Sequence, residues 1–306
     1  MSRKNILDYL VYVAIRILIC AVQALPLETG RKLTQACAWL MNDMLRMRAN
    51  VVDENLTHAF PELSPKERSE IARGMWEHLF LLVLEVAHVP RKIHETNWRK
   101  YIKIRDVAPL MRHLLSDRPV IVVTGHFGNF ELGGYALGIL GFPTFTVARN
   151  LDNRYLDHYL ASFRAATGQH LIPKNGGYDQ IKHVLASGGT MAFLADQYAG
   201  EKGCWVEFFG RPASAHKAIA LLALEHDAPV AVCHSRRLGE PMQFEMVTEG
   251  IADPRDARDD VGTVRDMTQW YTSQLEQSIR TAPEQYWWVH RRWKDTRKKR
   301  ASQKAA

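Results

Sequence analysis

Val120-Ile121-Val122-Val123-Thr124-Gly125-His126-Phe127-Gly128-Asn129-Phe130-Glu131 decides the architecture, because a β-branched run ends on two glycines and reopens as a helix. The run at 120–124 is bounded by Pro119 and Gly125 and is too short for a helix, so it predicts a buried strand. Similar runs recur at 144–147, 191–194 and 229–232, with helical spacing between them at about 129–140, 152–167, 176–186 and 214–226. Such alternation predicts an α/β fold with a mainly parallel sheet flanked by helices. A last helical stretch covers about 255–281, and Pro283 starts a separate ending.

Working outward, residues 28–117 read as a helical lead-in, with apolar spacing in Leu33–Leu45 and Ile71–Val89 and breaks at Pro61, Pro65 and Pro90. Residues 1–27 predict a hydrophobic membrane-anchor helix. On a helical wheel Asn5, Asp8, Tyr9, Tyr12, Arg16 and Gln23 fall within one arc of about 100°. Such a helix either lies in a leaflet with Arg16 snorkelling or packs its polar stripe on the protein while its apolar face meets lipid. Arg16 interrupts the apolar stretch and so argues against a cleaved signal peptide, although Val22-Gln23-Ala24 offers small residues for cleavage. The expected organisation is therefore anchor 1–27, lead-in 28–117, α/β core 118–282 and a Trp-rich basic segment 283–306.

The charge is concentrated. The net charge is +7, and Arg291–Ala306 alone holds eight basic residues against one acid, which leaves a neutral body with a cationic tail. That balance suits an anionic membrane surface and disfavours nucleic acid, although Tyr286, Trp287, Trp288 and Trp293 interleave with Arg291, Arg292 and Lys294. The aromatic-basic ending reads either as an interfacial belt or, in part, as core. Cys20, Cys37, Cys204 and Cys233 have neither metal-site spacing nor the density of a disulfide scaffold, so no metal or cofactor is expected.

Sites on open parallel sheets lie at the carboxyl ends of strands, which directs attention to the loop after Thr124. A histidine five residues before a carboxylate means little alone. In a chain with thirteen histidines it arises by chance, and His290 and Asp295 in the tail repeat it. On a continuous helix such a pair points in different directions, so His126 and Glu131 meet only if Gly125 and Gly128 break the backbone between them. An imidazole held at one nitrogen by a carboxylate has its other nitrogen free to take a proton from an alcohol. The plainer alternative is a structural histidine followed by a glutamate favoured at a helix start. Gly-x-Ser-x-Gly, Walker, Gly-x-Gly-x-x-Gly and His-Glu-x-x-His patterns do not occur. With neither nucleotide loop nor metal ligands, the pair beside an anchor suggests acyl transfer from a thioester to a hydroxyl.

These blocks resemble the lipid A late acyltransferases of the bacterial inner membrane. The resemblance is carried by the anchor, the His-x4-Glu block at 126–131, Ala195-Asp196-Gln197, Phe208-Phe209-Gly210 and the closing Pro283-Glu284-Gln285-Tyr286-Trp287-Trp288-Val289-His290-Arg291-Arg292-Trp293-Lys294. It implies a glycerol-phosphate-acyltransferase-like catalytic domain on the cytoplasmic face of the inner membrane, an acyl carrier protein thioester as donor and a lipid A precursor as acceptor. It also implies His126 as general base with Glu131 orienting it, and substrate contacts from Arg149, Arg164, Asp196 and Gln197. Two alternatives stay open: an enzyme of the same family acting on another glycolipid or an aminoacyl lipid, and a non-catalytic membrane-bound scaffold.

Overall fold

A computed structural model describes residues 3–294, so the basic tail from Asp295 onward, including the His290–Asp295 coincidence, lies outside the described residues. The central sheet joins β1 (Ile102–Arg105), β2 (Val120–Thr124), β3 (Thr144–Ala148), β4 (Gln169–Pro173), β5 (Thr190–Leu194), β8 (Val230–Arg237) and β9 (Phe244–Ala252). Their spatial order is β1-β9-β8-β2-β5-β3-β4. All neighbours run parallel except β8 and β9. A separate hairpin pairs β6 (Cys204–Phe208) with β7 (Arg211–Ala215).

The four anticipated strands are present and lie side by side as β8, β2, β5 and β3 inside the sheet, where covered faces require continuous apolar runs. The strands that escape sequence reading are β1 and β4 at the sheet edges and β9 beside β1. Ile102-Lys103-Ile104-Arg105 alternates because an edge strand is half solvated, and it places a strand inside the expected helical lead-in. The helix expected from 214 starts at Lys217, because Ser214 and Ala215 still belong to β7. The one expected from 255 starts at Val264, where the Thr263 hydroxyl accepts from the Asp266 N–H.

Helices cover both faces. In the first half they are α1 (Arg3–Ala24), α2 (Leu27–Trp39), α3 (Ala49–Ala59), α4 (Pro65–Lys92) and α5 (Ala108–Leu114). Along the core follow α6 (Phe130–Ile139), α7 (Arg154–Ala165), α8 (Tyr178–Ala186), α9 (Lys217–Glu225) and α10 (Val264–Thr281). Ser64 and Glu67 form a capping box at the start of α4, and that helix runs past Pro90 to Lys92. Ile121, Val123, Met191 and Val230 bury one sheet face against Ile219, Ala223, Tyr271 and Leu275 of α9 and α10.

A second core joins Val52 and Leu56 of α3 and Met75 of α4 to Phe208, Phe209, Tyr286, Trp288 and Trp293. The Trp-rich ending is therefore largely core rather than an interfacial belt: Trp288 is 1% exposed and Trp293 9%. Asn55 holds it by donating to the Trp288 and His290 carbonyls, both at 2.7 Å, and Arg292 donates to the Ser214 carbonyl at 2.7 Å. Phe209 and Gly210 form the two-residue turn between β6 and β7, both at positive φ, with Phe209 packed edge-on against Phe60 and Trp288.

The stripe on α1 faces the protein. Tyr9 and Tyr12 meet Tyr155 of α7, Gln23 donates to the Ala87 carbonyl at 2.6 Å, and Asn153 donates to the Asp8 carbonyl at 2.8 Å. Ile6, Leu7, Leu10, Val11, Ile17 and Leu18 point outward and are exposed.

Candidate active site

Strand register builds the site. Thr124 and Leu194 are partners in the parallel β2–β5 ladder, so the chain two residues beyond each strand brings His126 and Asp196 side by side. Asp196 Oδ1 lies 2.8 Å from His126 Nδ1, and Oδ2 accepts the His126 backbone N–H at 2.7 Å. Gly125 leaves room for this carboxylate, since a Cβ there would stand 3.3 Å from it.

The partner of the imidazole is thus Asp196 rather than Glu131. Asp196 is 4% exposed and holds the ring at Nδ1 from the buried side. With the carboxylate accepting at Nδ1, the proton sits there and Nε2 presents a lone pair. Gln197 Nε2 lies 3.4 Å from that nitrogen, a long contact that an incoming hydroxyl can replace. Trp287 and Phe130 stand edge-on to the imidazole, with ring centroids at 4.8 and 5.1 Å, and the Trp287 backbone N–H donates to the His126 carbonyl at 3.1 Å. Burial alone would push the His126 pKa down, but the Asp196 charge and hydrogen bond, with the Glu131 charge, raise it above its ordinary value. For Asp196 burial works upward, yet the His126 charge and the hydrogen bonds it accepts hold it below the usual carboxylate range.

The turn behind His126 is fixed from below. Gly128 has φ +60°, and a Cβ there would come within 2.1 Å of the Ser235 carbonyl oxygen at the end of β8. Asn129 then caps α6 by accepting from the Leu132 N–H, and its own backbone N–H donates to Ser235 at 2.6 Å. Beneath lies a buried network in which Arg237 donates from Nε and Nη2 to the two oxygens of Glu85, both at 2.6 Å, and Asn129 Nδ2 donates to Glu85 at 3.1 Å. Arg237 Nη1 also lies 2.8 Å from His78 Nδ1. Because a guanidinium only donates, His78 Nδ1 accepts and its Nε2–H donates to the Gly128 carbonyl at 3.1 Å. Burial, then the Arg237 charge, depresses the His78 pKa to about 3, consistent with that neutral tautomer.

Glu131, in the first turn of α6, pairs with Arg164 of α7: Nη2 donates to Oε1 at 2.5 Å and Nε to Oε2 at 3.1 Å. From the first turn of α6 Glu131 faces Arg164 on the neighbouring helix, while the strand register supplies the carboxylate at His126 Nδ1. The Glu131–Arg164 pair lines an apolar cavity between α5, α6 and the sheet, whose walls include Leu110, Val122, Gly133, Leu137 and Thr146. Arg149 is not brought to this cavity: it is 78% exposed and pairs with Asp152 at 3.4 Å. Trp287 reads in sequence as part of the aromatic-basic ending and not as a neighbour of His126, and the Glu85–Arg237 pair is not singled out at all. The only signal for the former was the density of aromatics in the ending, and the latter spans 152 positions, with no local pattern at all.

Among the described residues no group of three or more His, Cys, Asp or Glu side chains could hold a metal ion. What the arrangement offers is a base with a free nitrogen at the strand ends, beside an apolar cavity whose lining includes Phe130 and the Arg164–Glu131 pair: the equipment to deprotonate a hydroxyl next to a long apolar substrate. The profile of the bacterial lipid A biosynthesis acyltransferases matches residues 1–295, and the chain belongs to that family.

Among relatives, the lipid A biosynthesis palmitoleoyltransferase of Escherichia coli K12 is 26% identical over 256 residues, covering 82% of this chain and 80% of that protein. The lipid A biosynthesis lauroyltransferase of the same organism is 25% identical over 294 residues, covering 94% and 92%. Among solved structures, the 1-acyl-sn-glycerophosphate acyltransferase from Thermotoga maritima aligns over 80% of this chain and 98% of its own, with a TM-score of 0.34 and 13% identity.

Proposed function

We propose that this protein moves a fatty acyl chain from an acyl carrier protein thioester to a hydroxyl of a lipid A precursor, with His126 as general base and Asp196 as its orienting partner. The observation that carries this reading is the His126–Asp196 bond at 2.8 Å, which leaves Nε2 as acceptor beside an apolar cavity lined by Thr124, Phe130 and Glu131. The acceptor hydroxyl takes the place of the Gln197 amide at Nε2. As its oxygen forms a bond to the thioester carbonyl carbon, its proton passes to Nε2. The tetrahedral intermediate then expels the thiolate, which recovers that proton from the imidazolium.

Arg164 uses Nε and Nη2 on Glu131, and its remaining Nη1 is the donor we assign to the developing oxyanion. The acyl chain lies along Leu110, Val122 and Leu137. Family membership supports the lipid A acceptor, and the donor follows from the resemblance of the catalytic blocks. The outward apolar face of α1, with its polar stripe turned onto α7, supports attachment to the cytoplasmic face of the inner membrane.

The test is a transfer assay in detergent micelles with defined acyl carrier protein thioesters and a phosphorylated disaccharide lipid, comparing wild type with His126→Ala. The expected result is product from wild type and a loss of about 10²- to 10⁴-fold in the variant. Transfer by His126→Ala at a near wild-type rate would move the base elsewhere. Turnover only with a different glycolipid would replace the acceptor.

A further inference from the structure

A second cleft lies between α1 and α7 and runs along α7 from Arg154 to Ser162. It is lined by Tyr12, Arg16, Arg154, Tyr155, His158 and Ser162, and no Asp or Glu reaches it. Arg154, His158 and Ser162 follow each other at intervals of four on α7 and so present donors along one face.

Its two guanidiniums are held by aromatic groups rather than by acids. Arg16 lies over the Tyr159 ring at 4.4 Å and its Nη1 donates to the Tyr12 hydroxyl at 3.2 Å, while its buried Nε has no hydrogen-bond partner. Arg154 stands over the Tyr155 ring at 4.7 Å and donates to the Tyr155 hydroxyl at 2.8 Å. Among the described residues neither cation has an acidic partner. Two positive charges converging on one cleft repel each other and gain most from a shared anion with several acceptor oxygens, which a phosphate supplies. The opposite face of α1 carries the exposed apolar side chains Ile6, Leu10 and Ile17, so a helix that meets lipid on that face holds the cleft beside the membrane surface.

We propose that this cleft binds the phosphate group of a membrane lipid, with Arg16 and Arg154 as the charged contacts and His158 and Ser162 as additional donors. Two sources share that chemistry: the phosphate of the acceptor lipid, or the headgroup of an anionic phospholipid of the bilayer. From Arg154 to Arg164 the helix rises about 15 Å, a span that the sugar headgroup of a phosphorylated glycolipid can bridge. The acceptor alternative rests on the proposed function. The lipid-phosphate site itself does not.

The experiment has a binding arm and a turnover arm. Full-length protein in nonionic detergent is titrated with dihexanoyl phosphatidic acid, with dihexanoyl phosphatidylcholine and inorganic phosphate as comparisons, and Arg154→Ala and Arg154→Lys are carried through the same titrations. The expected result is saturable binding of the phosphatidic acid, weakened about tenfold in Arg154→Ala, partly restored in Arg154→Lys and reduced by added salt. Equal affinity of wild type and Arg154→Ala overturns the proposal, as does equal binding of the choline lipid or full displacement by equimolar inorganic phosphate. In the turnover arm, an Arg154→Ala variant whose KM rises about tenfold for a phosphorylated acceptor but not for its dephosphorylated form assigns the site to the acceptor. An unchanged KM for both, with the binding loss intact, assigns it to bilayer phospholipid. Because the binding arm needs no turnover, failure of the acyl-transfer reading leaves it interpretable.

Discussion

Replacing Asp196 by Asn keeps the size of the side chain and changes one proton position. Both groups of His126 that Asp196 faces are donors: the backbone N–H at 2.7 Å and Nδ1–H at 2.8 Å. The backbone N–H cannot become an acceptor, so the Asn oxygen must turn to it and the amide NH₂ is left facing Nδ1. The ring can then avoid a donor–donor clash only by moving its proton to Nε2, where it blocks abstraction of the acceptor's proton. A tautomer exchange of this kind costs about 10⁴-fold in kcat, or roughly 5 kcal/mol of transition-state stabilisation at 1.36 kcal/mol per factor of ten. The pH profile adds a second signature. In the wild type, activity should rise with pH through an apparent value above 6.5, because His126 must be neutral to act and its pKa is raised by Asp196. In Asp196→Asn burial acts without the compensating charge, and the limb of the residual activity should move to lower pH. The assay is single-turnover acyl transfer between pH 5 and 9, with circular dichroism as a check on folding. An Asp196→Asn enzyme within tenfold of wild type, with an unmoved acid limb, would refute the tautomer argument. A Glu131→Gln enzyme that lost more than Asp196→Asn would return the orienting role to Glu131.

The remaining expectations concern the cavity, the turn and the buried pair. A Cβ at Gly133 would meet nothing within 4 Å, although the residue lines the apolar cavity from a helical position. Gly133→Ala should therefore stabilise the fold by about 0.5–1 kcal/mol in urea titration. Gly133→Leu should shift donor preference toward shorter chains in competition between thioesters. Gly128→Ala faces both a positive φ and the Ser235 carbonyl, and should lower stability by about 1–3 kcal/mol and activity with it, read from chemical denaturation and turnover of the same sample. Glu85→Gln leaves the buried Arg237 guanidinium without its counter-charge and should cost about 3–5 kcal/mol in denaturation midpoint analysis. Arg164→Ala should reduce turnover by more than about 10²-fold, whereas Arg149→Ala, at an exposed pair, should change it little.

How much of this was legible in sequence follows from whether the physical signal is local. Val120–Thr124, with both faces covered, has to be apolar throughout, and the two glycines after it mark a forced turn, so both the central strand and His126 could be read. Ile102–Arg105 pays for its edge position with alternating charged residues and looks like nothing more than a loop between helices. The pairing of His126 with Asp196 depends on the parallel register of β2 on β5, and register between strands seventy residues apart has no local signature. Sequence spacing favoured Glu131 because it was the nearest carboxylate along the chain, whereas the sheet made Asp196 the nearest in space.

The lead-in and the ending acquire a common purpose from the same geometry. Glu85 on α4 grips Arg237 at the end of β8 and Asn129 at the start of α6, while His78, one α4 residue nearer the N-terminus by two turns, holds the Gly128 carbonyl. Gln285 accepts the Gly128 N–H with its backbone carbonyl, and its side chain closes on the Arg237 backbone at 2.8 and 3.0 Å. Trp287 then donates to the His126 carbonyl and lays its ring against the imidazole. The turn that aims His126 is thus clamped by α4 on one side and by 285–287 on the other, and Asn55 of α3 secures that ending to the lead-in. A chain cut before Pro283, or lacking α1–α4, would keep every strand of the sheet and the His126–Asp196 pair. It would still lose the groups that fix the His126 backbone, so pre-organisation of the proposed base depends on segments that lie outside the α/β core.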